Sequence, residues 1–147
     1  MSLPTRQEIN LQDDLDGRAA CRNFLGKTLE QAEALFRENL LHYQEDLMWM
    51  GPAAFRFYVR AALRYAQSEA AAGDSAIASS LAMIFEFRLE HEAAELVPIA
   101  GQLAEICGYF VEHCERFDLE PEIFGDVRAR FQKLHQTFFK MSHEQAA

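Results

Sequence analysis

Phe124, Val127, Phe131, Leu134, Phe138 and Met141 recur at intervals of three and four residues. That repeat lines apolar side chains along one face of a helix, whereas a strand alternates its faces at every residue. Similar spacing returns in Ile99, Leu103, Ile106, Cys107, Phe110, Cys114 and Phe117, and in Ile77, Leu81, Ile84, Phe85 and Leu89. It returns again in Leu29, Ala32, Leu35, Phe36, Leu40 and Tyr43. No stretch sustains a period of two between turn signals, so no sheet is expected. The chain reads as all-α: a single-domain bundle of five or six helices with short connections.

Local signals mark the boundaries. Thr28-Leu29-Glu30-Gln31 is a capping box, with the Thr28 hydroxyl on the first turn and Gln31 reaching back, and it opens a helix expected from Leu29 to about Tyr43. Gly51-Pro52 supplies a break and then a proline at the first helical position, where its missing N–H costs nothing. The helix it opens is expected to run to about Ala71. Gly73-Asp74 ends that helix and starts another, with Asp74 or Ser75 as N-cap and Pro98 as its close or restart. Asp118-Leu119-Glu120-Pro121 is a further joint. Residues 1–27 are polar and weakly patterned and are expected to form an N-terminal arm or short helix. Residues 28–141 make up the helical domain, and 142–147 a C-terminal tail.

A chain of 147 residues, half of them hydrophobic, can bury a core without disulfides or metal. Cys21, Cys107 and Cys114 are odd in number and lack the paired spacings of zinc or redox motifs. Cys107 and Cys114 lie two helical turns apart, roughly 10 Å, beyond the reach of a disulfide. Free thiols in a reducing compartment are expected. No apolar run approaches the ~18 residues of a membrane span and no secretory signal pattern opens the chain, so a cytoplasmic location is expected.

The formal net charge of −9 argues against nucleic acid or an anionic membrane as partner, since both require a concentrated positive field. A basic protein partner fits better. The charge is also uneven. Residues 47–68 hold three arginines and no acid, while residues 69–126 hold thirteen acids against Arg88 and Arg116. Residues 127–147 return to a net positive charge. Either basic helices neighbour acidic ones within the fold, or the acidic half presents a face to a basic partner.

Two groups of residues stand out as candidate surfaces. At about 100° per residue, Phe55, Tyr58, Val59, Ala62, Tyr65 and Ala66 share one side of the helix after Pro52, and Arg56, Arg60 and Arg64 share the other. Phe57 falls among the arginines. Arginine and aromatic side chains dominate binding hot spots, so Trp49, Arg56, Phe57, Arg60 and Arg64 form the first candidate binding set. Against this stands internal pairing of the arginines with the acidic segment. Trp49, within Leu47-Met48-Trp49-Met50, is expected as a core plug, or, if exposed, as an enlargement of the same surface. The second group is Arg88, His91, Glu92 and Glu95. Arg88, Glu92 and Glu95 continue the side of their helix that Ile77, Leu81 and Ile84 bury. The helix projects beyond the core, bends before Pro98, or carries a buried ionic cluster, which is costly unless fully paired. Such a cluster would be the best case for a small-molecule ligand or substrate.

Catalytic and metal motifs are missing from the sequence. Glu38 with His42, His42 with Asp46, and His91 with Glu95 are each four apart, but such pairs are ordinary surface electrostatics. No Glu-x-x-His of a di-iron bundle and no His-Glu-x-x-His of a zinc protease occurs. No Gly-x-Ser-x-Gly elbow or phosphate-cradling glycine loop is present. No metal, cofactor or catalytic residue is therefore expected. The lone histidines His113, His135 and His143 have no defined partners in the sequence.

Around Asp46-Leu47-Met48-Trp49-Met50-Gly51-Pro52-Ala53-Ala54-Phe55-Arg56-Phe57-Tyr58 the chain resembles a group of small bacterial all-α proteins, over about a fifth of its length. In that group an acidic and apolar run leads into Pro, Phe and Tyr, often followed by Leu-Pro-Ala, where this chain has Val59-Arg60-Ala61. Some members look like immunity or accessory proteins. The resemblance assigns no catalytic residue and no activity; the acidic middle segment motivates the leading reading, a non-enzymatic helical protein that binds a basic toxin or enzyme. A small-molecule-binding protein or enzyme around Arg88, His91 and Glu92 is the alternative, and a structural homo-oligomer built on the Phe57 face is another.

Overall fold

The computed structural model describes residues 2–146. Among them every regular element is helical, as the apolar periodicity predicts, and six helices reach ten residues or more. The chain divides into two compact units, Met1–Ala71 and Ala72–Ala147.

The first unit contains α1 (Arg6–Ile9), α2 (Leu15–Phe24), α3 (Leu29–Trp49) and α4 (Pro52–Ala66), followed by a 3₁₀ turn at Glu69–Ala71. The segment expected as an arm or short helix is thus two short helices. Each has a cap that explains its start: Thr5 and Glu8 exchange the two hydrogen bonds of a capping box, and the Asp14 carboxylate accepts from the Gly17 N–H at 2.8 Å. These helices bury Ile9, Ala20, Cys21 and Phe24. The Thr28–Gln31 box opens α3 as predicted, at 2.9 and 3.2 Å.

α3 is longer than its predicted end and is not one straight rod. At Asn39 the backbone leaves helical geometry (φ −161°, ψ 82°), and the Asn39 side-chain oxygen accepts from the His42 N–H at 3.2 Å. Asn39 acts there as the N-cap of a fresh helical stretch that carries Leu40 to Trp49. Its side-chain oxygen supplies one of the bonds that the interrupted backbone ladder lacks.

Phe24, Phe36 and Tyr58 form the aromatic centre of this unit, with ring centroids 5.6 Å (Phe24–Phe36) and 5.1 Å (Phe24–Tyr58) apart. The buried Tyr58 hydroxyl lies 2.7 Å from the carbonyl oxygen of Phe24 and 2.8 Å from that of Lys27. Helix carbonyls at a C-terminus have no partner within the helix. Tyr58 thus ties off the end of α2 while filling the core.

α4 follows a close crossing. The Gly51 N–H donates to the Ile9 carbonyl at 3.1 Å, and a Cβ at Gly51 would stand 2.3 Å from the Glu8 carbonyl oxygen and 3.0 Å from the Leu11 Cβ. Only glycine fits there, because the nearest obstacle is backbone.

The second unit contains α5 (Ser75–Leu96), a 3₁₀ turn at Val97–Ile99, α6 (Ala100–Glu112), a 3₁₀ turn at Cys114–Phe117, α7 (Pro121–Phe124) and α8 (Val127–Ala146). Asp74 caps α5, accepting from the N–H groups of Ala76 and Ile77. Phe110 stacks on Phe131 at 4.5 Å and meets Phe117 at 5.0 Å, and Phe85 meets Phe138 edge-on at 5.9 Å. α8 packs mainly along α6, burying Val127, Phe131, Leu134 and Phe138 as the periodicity predicts. Phe124 instead ends the short α7, and α8 runs on to Ala146, past the expected end near Met141. Cys107 is buried, but Cys114 is only half-buried, because α6 stops before it.

Removing the Tyr58 hydroxyl would take away the single O–H donor that the Phe24 and Lys27 carbonyls share, leaving Phe24 with the Lys27 N–H at 2.9 Å. We expect Tyr58→Phe to lower the unfolding free energy by about 1–3 kcal/mol. Urea titration checks this, and a loss under about 0.5 kcal/mol would show that those carbonyls are satisfied by water instead.

Candidate functional site

α4 divides its faces as the sequence predicts. Phe55, Tyr58, Val59, Ala62, Tyr65 and Ala66 are buried, Arg56 and Arg60 are half-buried, and Arg64 is exposed. Phe57, the aromatic on the arginine side, is half-buried. The guanidinium carbon of Arg60 stands 4.9 Å from its ring centroid, and the Tyr58 ring meets it edge-on at 4.9 Å. A cation over an aromatic face is held by the ring quadrupole. Phe57 and Arg60 thus cover each other, which accounts for an aromatic in an arginine row.

Trp49 does not plug the core: it is 44% exposed, while its neighbours Leu47 and Met50 are buried. The reason lies in the helix that carries it. In the stretch after Asn39, Leu40, Leu47 and Met50 point inward. Leu41, Glu45, Met48 and Trp49 fall on the other side, within roughly 100° of arc. Leu41 is 63% exposed, Glu45 is exposed and Met48 half-buried.

The inward side of the same stretch carries a carboxylate. Asp46 is 6% exposed and accepts a hydrogen bond from the Asn23 amide at 2.7 Å, joining α3 to α2. Burial holds its carboxyl above the usual carboxylate range, and the Asn23 hydrogen bond, with His42 and Arg22, opposes the rise. The α1–α2 turn lies beside the same corner. Leu11, 53% exposed, approaches Gly51, and Leu15, 77% exposed, follows one turn of chain later.

The second candidate group is brought together only in part. Arg88 is 2% exposed, and its guanidinium pairs with the Glu92 carboxylate. α5 bends at Glu92 itself, where the backbone takes φ −154°, ψ 47°. Bending and a buried ion pair, expected as alternatives, therefore occur together. Burial lowers the Arg88 pKa, and the Glu92 charge opposes that fall. His91 is exposed and lies against Phe87 at 4.4 Å, and Glu95 is exposed beyond the bend.

Within the same unit the cations of α8 meet acids of the preceding helices. Arg130 makes paired contacts with Glu86, its Nε donating at 3.0 Å. Arg128 reaches Glu115 at 3.1 Å and the Val111 carbonyl at 3.1 Å. Basic and acidic segments neighbour each other here, as one of the two sequence readings holds.

Sequence reasoning left His135 without a role. Its Nδ1 lies 2.8 Å from the Ala104 carbonyl oxygen, an acceptor that requires the proton on Nδ1. Gly108 lets the ring sit close, since a Cβ there would meet it at 3.3 Å. His135 lines an open cleft of about 460 Å³ with Val111, Gln132 and Gln136. Another cleft, about 400 Å³, is lined by Cys114, Leu119, Asp126 and Arg128 among others. Burial raises the Cys114 thiol pKa, which disfavours the nucleophilic thiolate. Among the described residues no group of three or more His, Cys, Asp and Glu side chains is placed to hold a metal, and no helix is long and apolar enough to cross a membrane. Comparison with family models, curated proteins and solved structures finds no match.

The Asp46 environment gives a pH prediction with a definite sign. A carboxyl whose folded pKa lies above its unfolded value contributes stability that is present below the unfolded pKa and lost as pH rises through the folded one. Asp46→Asn keeps an acceptor for Asn23 and removes the buried charge. We expect it to raise Tm at neutral pH, with an advantage over the wild type that shrinks as pH falls toward the usual carboxylate range near 3.8. A Tm difference independent of pH would refute this account of Asp46.

Proposed function

We propose that this chain is a non-enzymatic helical protein that binds another protein, in the manner of immunity or accessory proteins, and that it does so around Trp49. The supporting observation is a tryptophan left 44% exposed on a helix whose other face is buried. Large rigid aromatics at a surface anchor interfaces because they bury much area at little entropic cost. Single exposed apolar residues need no explanation, but here Leu41, Met48 and Trp49 share one side of one helical stretch.

The contact surface in this reading differs from the arginine row. Phe57 is already covered by Arg60, so Arg56, Arg60 and Arg64 flank the interface and do not form its centre. The net charge of −9 favours a basic partner, because electrostatic complementarity accelerates encounter and rejects like-charged competitors. A bacterial, cytoplasmic setting accords with three cysteines that form no disulfide.

Site-specific photocrosslinking tests this reading. With p-benzoylphenylalanine in place of Glu45, beside Leu41 and Trp49, we expect a crosslink to a heterologous protein in lysate of the source cells, lost at high salt. The same probe in place of Glu30, exposed at the start of α3, is expected to give none. Crosslinks at neither position, at both equally, or only to a second copy of this chain would contradict the proposal.

A further inference from the structure

We infer that the corner formed by residues 112–128 docks a basic segment of another protein. The segment lodges an apolar side chain in the cleft beside α7 and sets lysine or arginine against the carboxylates around it. This corner belongs to the second unit and shares no residue with the surface around Trp49. Asp118 (φ 52°) and Gly125 (φ 71°) turn the chain through the left-handed region on either side of α7. The folded-back segment leaves an open cleft of about 400 Å³, within the ~300–1,000 Å³ of built ligand sites. Cys114, Leu119, Pro121 and Val127 supply its apolar lining, and Glu115, Asp126 and Arg128 stand among them. Leu119 is half-buried and Pro121 exposed, so the apolar lining is open to an incoming side chain. Ile123, 69% exposed, adds apolar surface on α7 itself.

The charges of the corner specify the sign of the occupant. Residues 112–128 carry six acids, Glu112, Glu115, Asp118, Glu120, Glu122 and Asp126, against Arg116 and Arg128. All six acids are exposed. Both arginines are engaged within the corner. Arg128 donates to Glu115 and to the Val111 carbonyl, each at 3.1 Å. Arg116 donates to the Tyr109 hydroxyl, and its guanidinium carbon lies 5.6 Å from the Phe117 ring centroid. Asp126 caps the start of α8 by accepting from the Ala129 N–H, and Glu112 lies beside His113. Asp118, Glu120 and Glu122 pair with no cation among the described residues. The next cations of α8, Arg130 and Lys133, line the groove beside Glu86 and Leu89 instead. The chain before α5 joins the corner through the Gly73 N–H, which donates to the Arg116 carbonyl at 2.8 Å, and it brings Asp74 and no cation. An apolar cleft among unpaired carboxylates complements a segment with lysine or arginine on either side of a leucine-type residue. An acidic segment would bring like charges together, which costs affinity.

Cys114 lines the cleft while Cys21 and Cys107 are buried, so the rate of its alkylation by N-ethylmaleimide reports occupancy of the cleft in the native protein. The probes are three short synthetic peptides carrying an uncharged dye for fluorescence anisotropy: Lys-Lys-Leu-Lys-Lys, Lys-Lys-Ser-Lys-Lys and Glu-Glu-Leu-Glu-Glu. We expect saturable binding of the Lys/Leu peptide, with alkylation of Cys114 slowed in proportion. The Lys/Ser peptide should bind about tenfold more weakly, the factor for withholding one buried leucine. Binding should weaken at high salt, which screens exposed charges. Replacing both Glu120→Gln and Glu122→Gln should weaken it severalfold, whereas Glu144→Gln, exposed near the far end of α8, should leave it unchanged.

Binding of the Lys/Ser peptide as tightly as the Lys/Leu peptide would show charge attraction only and overturn the inference. So would equal binding of the Glu/Leu peptide, no binding of the Lys/Leu peptide, or binding that leaves Cys114 alkylation unchanged. Should the double variant fail to fold, protection of Cys114 in the unaltered protein decides alone. Crosslinking at position 45 reports the Trp49 surface separately, so either site can fail without the other.

Discussion

The hydrogen bond from Gly51 to the Ile9 carbonyl, and the backbone contact that surrounds it, is the constraint on which the candidate surface depends. Two backbones cannot approach this closely with a side chain between them, so the end of α3 and the start of α4 are brought against α1 by a residue without a Cβ. Pro52, at the first position of α4, then sets the direction of that helix at no cost in hydrogen bonds. The buried face of α4 follows, with Tyr58 reaching the carbonyls that close α2. Leu11 and Trp49 lie on either side of this corner in the chain, and both remain exposed where the backbone itself is packed tightly.

Both long helices of the chain's middle are broken, and the residue at each break is polar with a partner three or four residues away. In α3 the Asn39 side chain caps the stretch that follows. In α5 the residue at the break, Glu92, is also the counter-ion of buried Arg88. A buried guanidinium is tolerable only with its charge and donors met. The bend at Glu92 accompanies that pairing on the core side of α5. The exposed side of α3 carries Leu41, Glu45 and Trp49.

The helical class, the Thr28 capping box, the Gly51-Pro52 break and the buried side of α4 were legible because each depends on neighbours within four residues. α1 and α2 were also signalled locally, by Thr5 with Glu8 and by Asp14, but their few apolar residues hid them from a reading led by periodicity. The exposure of Trp49 could not be read from spacing. In Leu47-Met48-Trp49-Met50 every residue is apolar, and the break at Asn39 resets the helical phase, so the stripe beginning at Leu29 does not carry through to it. Asn39 itself was a weak signal, since asparagine competes for backbone hydrogen bonds wherever it stands in a helix. The pairing of Phe57 with Arg60 was legible only as an oddity, because three residues' separation allows the contact without requiring it.

The account turns on Trp49 facing solvent. Its emission maximum, together with quenching by acrylamide and by iodide, measures this in the folded protein without interference, as no second tryptophan is present. The account predicts red-shifted emission and efficient quenching, with iodide less effective than acrylamide because Glu45 and other carboxylates repel an anion. Blue-shifted emission protected from both quenchers would place Trp49 in the core and contradict it.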